Sequence, residues 1–228
     1  MKKVMWIVSV IPFIITAIAL QIMPDSVPLH YNISGEIDRW GSKYENLIFP
    51  VMILLFTLFW HLLILHYEKR AVKATLDKDR AEAASNAGLL KIVAVSMAAM
   101  FGIMQCFILY GAYTAADTST ASATVDIGKI SCILMGGMFI VIGNFLPKAK
   151  RNSLVGVRVS WSMYNDTTWR KSNRFCAVAF IVTGVLTILT ALLADTSWIA
   201  TACMLGYLLL STVITLFYSH RIYLAEKH

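Results

Sequence analysis

The residues best suited to chemistry lie in a polar segment at positions 24–43, which reads PDSVPLHYNISGEIDRWGSK. His30, Asp38 and Asp25 provide imidazole and carboxylate groups of the kinds that hold a divalent metal. Because no second His is nearby, this ligand set is thin, and we expect no metal or other cofactor. The alternative is a local ion-pair network that includes His30, Glu36, Asp38 and Arg39.

The same segment contains residues that restrict or turn the backbone. Pro24 and Pro28 lack an amide donor and favour extended or turn conformations. Asn and Gly supply turn chemistry. The pattern predicts a compact ordered loop, which either packs over helix ends or presents a binding surface. The candidate ligand-binding residues are His30, Asn32, Gly35, Asp38 and Arg39.

A second polar segment, NSLVGVRVSWSMYNDTTWRK, covers positions 152–171. Asn165 or Asp166 is placed to cap the N-terminus of a helix. Arg158 stands alone in the apolar stretch VGVRVSW and needs an acceptor. The candidates are the C-terminal carbonyls of a neighbouring helix, Asp166, or a lipid phosphate.

No stretch of the sequence carries a recognisable catalytic motif, such as HExxH or a phosphate-binding glycine loop. The four cysteines, Cys106, Cys132, Cys176 and Cys203, lie inside apolar runs and are interpreted as packing residues. His61 also lies in an apolar run, but the apolar runs offer it no Asp or Glu partner for a proton relay. We therefore expect a protein that is not an enzyme.

The elements that hold these segments are apolar helices. Only 14% of the 228 residues are charged, whereas soluble domains average about 25%. Six charge-free runs of 18 to 22 residues are long enough to cross a bilayer as helices. They are Val4–Ile22, Leu47–Leu65, Ile92–Tyr113, Ile130–Pro147, Phe175–Ala194 and Trp198–Tyr218. The predicted fold class is an all-α membrane protein with six transmembrane helices.

The distribution of basic residues predicts the orientation of these helices. Seventeen of the 20 Lys and Arg residues lie at the two termini and in the second and fourth connections. The positive-inside rule places those parts, and both termini, in the cytoplasm. The segment at 24–43 is then extracellular and the segment at 152–171 cytoplasmic. The basic surplus is an orientation signal that also attracts anionic membrane lipids, and it predicts no direct nucleic-acid partner.

An alternative for the first run is a cleavable signal peptide, with Lys2 and Lys3 before the apolar stretch and Ala17-Ile18-Ala19 as the cleavage site. The connection at 66–91 is interpreted as a solvated helical extension with a break near Asn86. The expected domains are a two-span unit at 1–88, with an outer polar loop at 23–46, and a four-span unit at 89–228, with a cytoplasmic loop at 148–174.

Both polar segments resemble known bacterial membrane families. The first is similar to an N-terminal domain of unknown function with the pattern P-x-x-V/I-P-x-H-x-N-x-x-G-x-x-D. The second resembles the signature of the SdpI family, roughly N-x-x-x-G-I/V-R-x-x-W-T/S followed by W-x-x-x-H/N-R. Asn173 departs from the His of many members. The matching residues are Asn152, Gly156, Arg158, Trp161, Trp169 and Arg174, with Arg170 as a further candidate beside them.

The resemblance implies an integral membrane immunity protein that gives resistance to a secreted peptide toxin. It also implies a cytoplasmic partner, a soluble transcriptional repressor that is held at the membrane. Two alternatives remain at this point. One is a transporter or lipid-handling protein that confers resistance, and the other is an intramembrane enzyme.

Overall fold

The structure, a computed structural model, describes residues 1–32, 35–118, 122–152 and 154–227. Within these ranges the chain forms six α-helices that are long and apolar enough to cross a membrane. The helices are α1 (Lys2–Ala19), α2 (Ile48–Lys73), α3 (Asp77–Thr118), α4 (Ile127–Phe145), α5 (Asp166–Leu193) and α6 (Ser197–Lys227). Most of each predicted apolar run lies on one of them, so the predicted six-helix membrane fold is confirmed.

Helix α3 differs from the expectation for its N-terminal part. Its 42 residues correspond to about 63 Å, roughly twice the hydrocarbon thickness of a bilayer. The predicted break near Asn86 is wrong, because α3 continues through this position and the chain bends at residues 74–76 instead. Ala83, Asn86, Ala87 and Leu90 are buried, and their spacing puts them on one helix face. Packing of this face stabilises the N-terminal part of α3, which the local sequence alone does not predict as a continuous helix.

The helices pack mainly with their neighbours in sequence. α4 packs along α5 and α5 along α6, while α1 and α2 both pack on α3. Contacts between α3 and α4 join the two groups. The domain boundary expected between residues 88 and 89 falls inside the continuous helix α3.

The outer faces of the helices carry large apolar side chains that no protein atom covers. Leu62, Leu209 and Phe217 are each more than half exposed. Such a surface is unfavourable in water but matches lipid tails, which are as apolar as the side chains themselves.

Buried polar side chains between α1, α2 and α3 pair with one another. The hydroxyls of Ser9 and Thr57 lie 2.6 Å apart, and the Gln105 amide donates to the Thr16 hydroxyl at 2.9 Å. His61, which the sequence singles out, accepts a hydrogen bond at its Nδ1 atom from the Trp6 indole at 3.2 Å. These contacts satisfy polar groups that would otherwise be costly in the bilayer.

The first polar segment folds as an antiparallel β-hairpin of β1 (Ser26–Tyr31) and β2 (Ile37–Ser42). The expected ordered loop therefore has regular strand pairing that the sequence analysis did not identify. Val27 is fully buried and packs with Leu109 and Ala112 of α3. This contact anchors the hairpin over one end of the bundle, which we call the hairpin end. The opposite end, with both described terminal regions and residues 146–165, is the basic end.

Helices α4 and α5 approach closely at glycines. A Cβ atom added to Gly136 would lie 2.7 Å from the carbonyl oxygen of Gly184, and one added to Gly184 would collide with the carbonyl of Gly136. The absence of side chains at both positions lets the two backbones touch, which favours helix association in lipid.

We expect Gly184→Ala to lower the thermal stability of the detergent-solubilised protein, because the added methyl group forces α4 and α5 apart at a cost of about 1–3 kcal/mol. Gly137→Ala is the matched control, since nothing lies within 4 Å of a Cβ atom at that position. Fluorescence-detected size-exclusion after heating measures both. Equal melting temperatures for the two variants would contradict the close approach.

Candidate functional site

The hairpin holds two of the predicted ligand-binding residues in a hydrogen-bonded pair. His30 on β1 and Asp38 on β2 lie with Nδ1 and Oδ1 2.6 Å apart. Arg39 donates to Glu45 in the turn that follows, at 2.6 Å. All three predicted residues are exposed. The expected ion-pair network thus exists as separate pairs, while Glu36 bonds to Asn32 instead.

The other two predicted residues, Asn32 and Gly35, form the turn of the hairpin. The Asn32 side-chain oxygen accepts a hydrogen bond from the Glu36 amide at 2.9 Å. The Gly35 carbonyl accepts a hydrogen bond from the Ala123 amide at 2.7 Å. Glu36 and Ser122 also form an isolated β-bridge. The hairpin turn is therefore fixed to the α3–α4 connection.

A cavity of about 940 Å³ lies beneath this turn, and we call it the hairpin groove. Three segments distant in sequence enclose it: β1 with its turn, the α3–α4 connection, and the α5–α6 connection with the first turns of α6. Its volume is near the upper limit of about 1,000 Å³ for small-molecule pockets. The lining residues on which the rest depends are Leu29, Ile108, Asp126, Asp195, Trp198 and Leu205.

The hairpin groove combines apolar and polar lining residues. Half-buried Ile108 and exposed Leu205 give the lining apolar surface, and the exposed Asp126 and Asp195 give it carboxylates. Tyr31 also borders the groove, and burial raises the pKa of its hydroxyl above the ordinary value, so that the group stays protonated. A ligand that is apolar at one end and polar at the other matches this arrangement.

The sequence identified part of this site. His30, Asn32 and Gly35 line the hairpin groove, whereas Asp38 and Arg39 do not. The sequence analysis did not identify Asp126, Asp195 and Trp198 as groove residues. Nothing in the sequence indicates that the hairpin, the α3–α4 connection and the α5–α6 connection lie together. The available signal was that Asp195 is the lone charged residue in the tight 195–197 connection. Within the described residues, no cluster of three or more His, Cys, Asp or Glu is arranged to hold a metal.

At the basic end, residues 148–174 form the second site, which we call the signature loop. Its irregular backbone is held by buried amide side chains. The Asn152 oxygen accepts hydrogen bonds from the amides of Leu154 and Val155 at 2.8 and 2.7 Å. The Asn173 oxygen accepts from the Val157 amide at 2.9 Å, and its nitrogen donates to the Trp169 carbonyl at 2.9 Å. These side chains substitute for regular secondary structure.

Gly156 and Trp169 complete the interior of the signature loop. Gly156 has φ +120°, a conformation that favours glycine, and an added Cβ would collide with the Asn173 oxygen. Trp169 is buried, and its indole donates to the Ala149 carbonyl at 2.9 Å. Asn165 caps α5 by accepting from the Thr168 amide at 2.8 Å, which confirms the predicted cap. Half of the signature residues are thus parts of the loop's framework.

The basic signature residues Arg158, Arg170 and Arg174 are exposed. Of the three acceptors considered for Arg158, Asp166 instead pairs with Arg151 at 3.1 Å. Across the described ranges, no hydrogen bond or ion pair involves Arg158. Trp161 differs from these residues, since its ring packs edge-on against His220 of α6 at 5.3 Å between centroids.

Comparison with known proteins connects both sites to described families. Residues 148–219 match the model of the SdpI/YfhL protein family, and residues 7–54 match that of a domain of unknown function, DUF1648. The chain is 24% identical over 180 residues to Immunity protein SdpI of Bacillus subtilis (strain 168), an overlap of 79% of this chain and 76% of that relative. Residues 148–219 are therefore similar to the SdpI family, and residues 7–54 to the DUF1648 domain. No solved structure matches the chain.

The similarity to Immunity protein SdpI and the six helices able to span a membrane make this a multi-pass protein of the cell membrane. The SdpI region begins at the signature loop and includes most of α5 and α6. The DUF1648 region includes β1, β2 and most of α1. Residues of both regions therefore line the hairpin groove.

We expect Gly156→Ala to disrupt the signature loop, because the new methyl group is strained at positive φ and displaces the Asn173 amide. The cost should be at least about 1–3 kcal/mol. Limited proteolysis of membrane vesicles that expose the basic end measures the effect as faster cleavage between residues 149 and 165. Gly88→Ala on α3 is the control, as its Cβ meets nothing within 4 Å. Unchanged cleavage in Gly156→Ala would contradict a rigid loop.

Proposed function

We propose that this protein is an immunity protein, which protects its cell against a secreted peptide toxin. The observation that carries the proposal is the match to Immunity protein SdpI over 79% of the chain. The hairpin groove supports it, because a preformed site at one end of the bundle is what recognition of an external molecule requires.

The proposed orientation has the hairpin end outside the cell and the basic end in the cytoplasm. The described charges support it: the hairpin end has three Lys and Arg residues against seven Asp and Glu, and the basic end has 17 against six. This is the asymmetry that the positive-inside rule associates with cytoplasmic exposure of the basic end.

Cysteine accessibility tests this orientation. In a background without the native cysteines, Thr196→Cys at the hairpin end should react with a membrane-impermeant maleimide in intact cells. Lys150→Cys at the basic end should react only after permeabilisation. Both positions are exposed in the structure. Labelling of both in intact cells, or of Lys150→Cys alone, would refute the orientation.

Toxin protection is tested by deletion and complementation. Cells that lack the gene should become sensitive to at least one secreted peptide toxin of the same or a related strain, and the wild-type gene should restore resistance. A His30→Ala, Asp38→Ala double variant should protect less at equal protein level, because the pair stiffens the hairpin over the groove. Asp117→Ala, outside the groove at the same end, should protect fully. Unchanged sensitivity after deletion, across all toxins tried, would overturn the function.

The finer proposal is that the signature loop holds a soluble transcriptional repressor at the membrane when toxin is bound. Arg158, Arg170 and Arg174 support it, because their exposed guanidinium groups provide a positive surface on a rigid framework. Arg158→Ala with Arg174→Ala should abolish repressor recruitment in a fluorescence localisation assay and leave protein levels intact. Lys3→Ala, another exposed cation at this end, is the control. Recruitment that survives the double change would exclude this surface.

A further inference from the structure

The charge of the hairpin groove is one-sided. Asp126 and Asp195 both line it, whereas no Lys or Arg belongs to its described lining. Two acidic residues of β2 and the turn after it have partners: Asp38 pairs with His30, and Glu45 with Arg39. Asp195 has no ion-pair partner in the described part of the chain, and the Asp126 carboxylate accepts a backbone hydrogen bond from Lys129.

The groove also has depth. Leu205 lies two helical turns beyond Ser197, the first residue of α6. Two turns correspond to about 11 Å along the helix axis. Ile108 of α3 also lines the groove. A ligand with its charged group at the two carboxylates therefore places its remaining atoms against apolar side chains. The volume fits a few residues of a peptide rather than a folded protein.

Strand β1 and its turn border the groove along residues 28–32. The pairing of β1 with β2 is irregular between Pro28 and Tyr31, so successive residues of this stretch face the groove. The edge of β1 away from β2 has no described strand partner. A strand edge carries amide and carbonyl groups that bind an extended peptide, and a lipid tail has no groups to pair with them.

We propose that the hairpin groove binds an extended peptide segment in which an apolar stretch is joined to a Lys or Arg side chain. The apolar stretch occupies the interior beside Ile108 and Leu205, and the cation pairs with Asp126 and Asp195. This rests on the proposed function in taking a peptide as the ligand, and goes beyond it by giving the site and the charge that the peptide must carry.

The test uses the full-length protein in phosphatidylcholine nanodiscs and two fluorescein-labelled synthetic hexapeptides. Both share the same Leu and Val core, and one has a Lys where the other has a Gln. Fluorescence anisotropy, corrected with empty nanodiscs, should show that the Lys peptide binds about five- to tenfold more tightly, as expected for one partly desolvated ion pair. Because exposed charges are screened by salt, the preference should shrink as ionic strength rises.

The decisive variant is Asp126→Asn with Asp195→Asn. Asn is also a good helix N-cap, so α4 should keep its start while the groove loses both charges. The preference for the Lys peptide should disappear. Asp117→Asn removes an acidic charge at the same end of the bundle, outside the groove lining, and should keep the preference. Equal affinity of the two peptides for the wild type, or an equal loss in Asp117→Asn, would overturn the proposal.

A second variant fills the groove without changing its charge. Ala202 is exposed and lines the groove, so Ala202→Trp should weaken both peptides at least about fivefold, with an unchanged size-exclusion profile. Unaltered binding in this variant would place the peptides elsewhere on the protein and refute the site. Co-purification of phosphatidylethanolamine that depends on the two carboxylates, without any peptide preference, would identify a lipid as the occupant and also refute it.

The toxin assay separates this inference from the proposed function. If deletion makes cells toxin-sensitive and the Asp126→Asn, Asp195→Asn variant protects as well as wild type, the groove inference fails and the immunity function stands. If the Lys peptide binds as described and deletion changes no sensitivity, the groove inference stands and the immunity function fails.

Discussion

Every backbone amide and carbonyl of this chain that enters the hydrocarbon must find its partner within the protein, and this requirement decides most of the structure. Helices meet it residue by residue, so the spanning segments have little freedom to build an irregular site. Polar chemistry is confined to the connections between them. The hairpin end and the basic end are therefore where recognition can occur, and each has structure of its own.

The connections at the hairpin end and at the basic end are ordered by different interactions. The hairpin orders Ser26–Tyr31 and Ile37–Ser42 by strand pairing and by the burial of Val27 against α3. The signature loop has no described strand and relies on buried amides, with Asn152 and Asn173 each bonding to several backbone groups. A hydrogen bond of this kind stabilises by about 1 kcal/mol, but an unpaired buried backbone group costs more. Loss of one such Asn therefore affects more than one contact.

The six spans could be predicted from the sequence, since a charge-free run of about 20 residues has one stable form in lipid. The helices themselves extend beyond these runs, by as much as 15 residues at the start of α3. The Asn165 cap was also predictable, because capping is a local property. The continuity of α3 was not, because it depends on Ala83, Asn86 and Ala87 packing against elements distant in sequence. The hairpin was missed since its two prolines and loose alternation resemble a loop. The groove forms where three connections lie close together. A single sequence does not show how far apart these connections are in the folded protein.

The length of α3 has a mechanical consequence. Near its C-terminus it packs on the hairpin through Leu109 and Ala112, and near its N-terminus Leu89 packs with Ala149 and Trp169 of the signature loop. Leu89 and Leu109 lie about 30 Å apart along this continuous helix, so a tilt of about 5° would displace one relative to the other by roughly 3 Å. A single helix thus connects the hairpin and the signature loop, and a tilt of α3 would alter both contacts together.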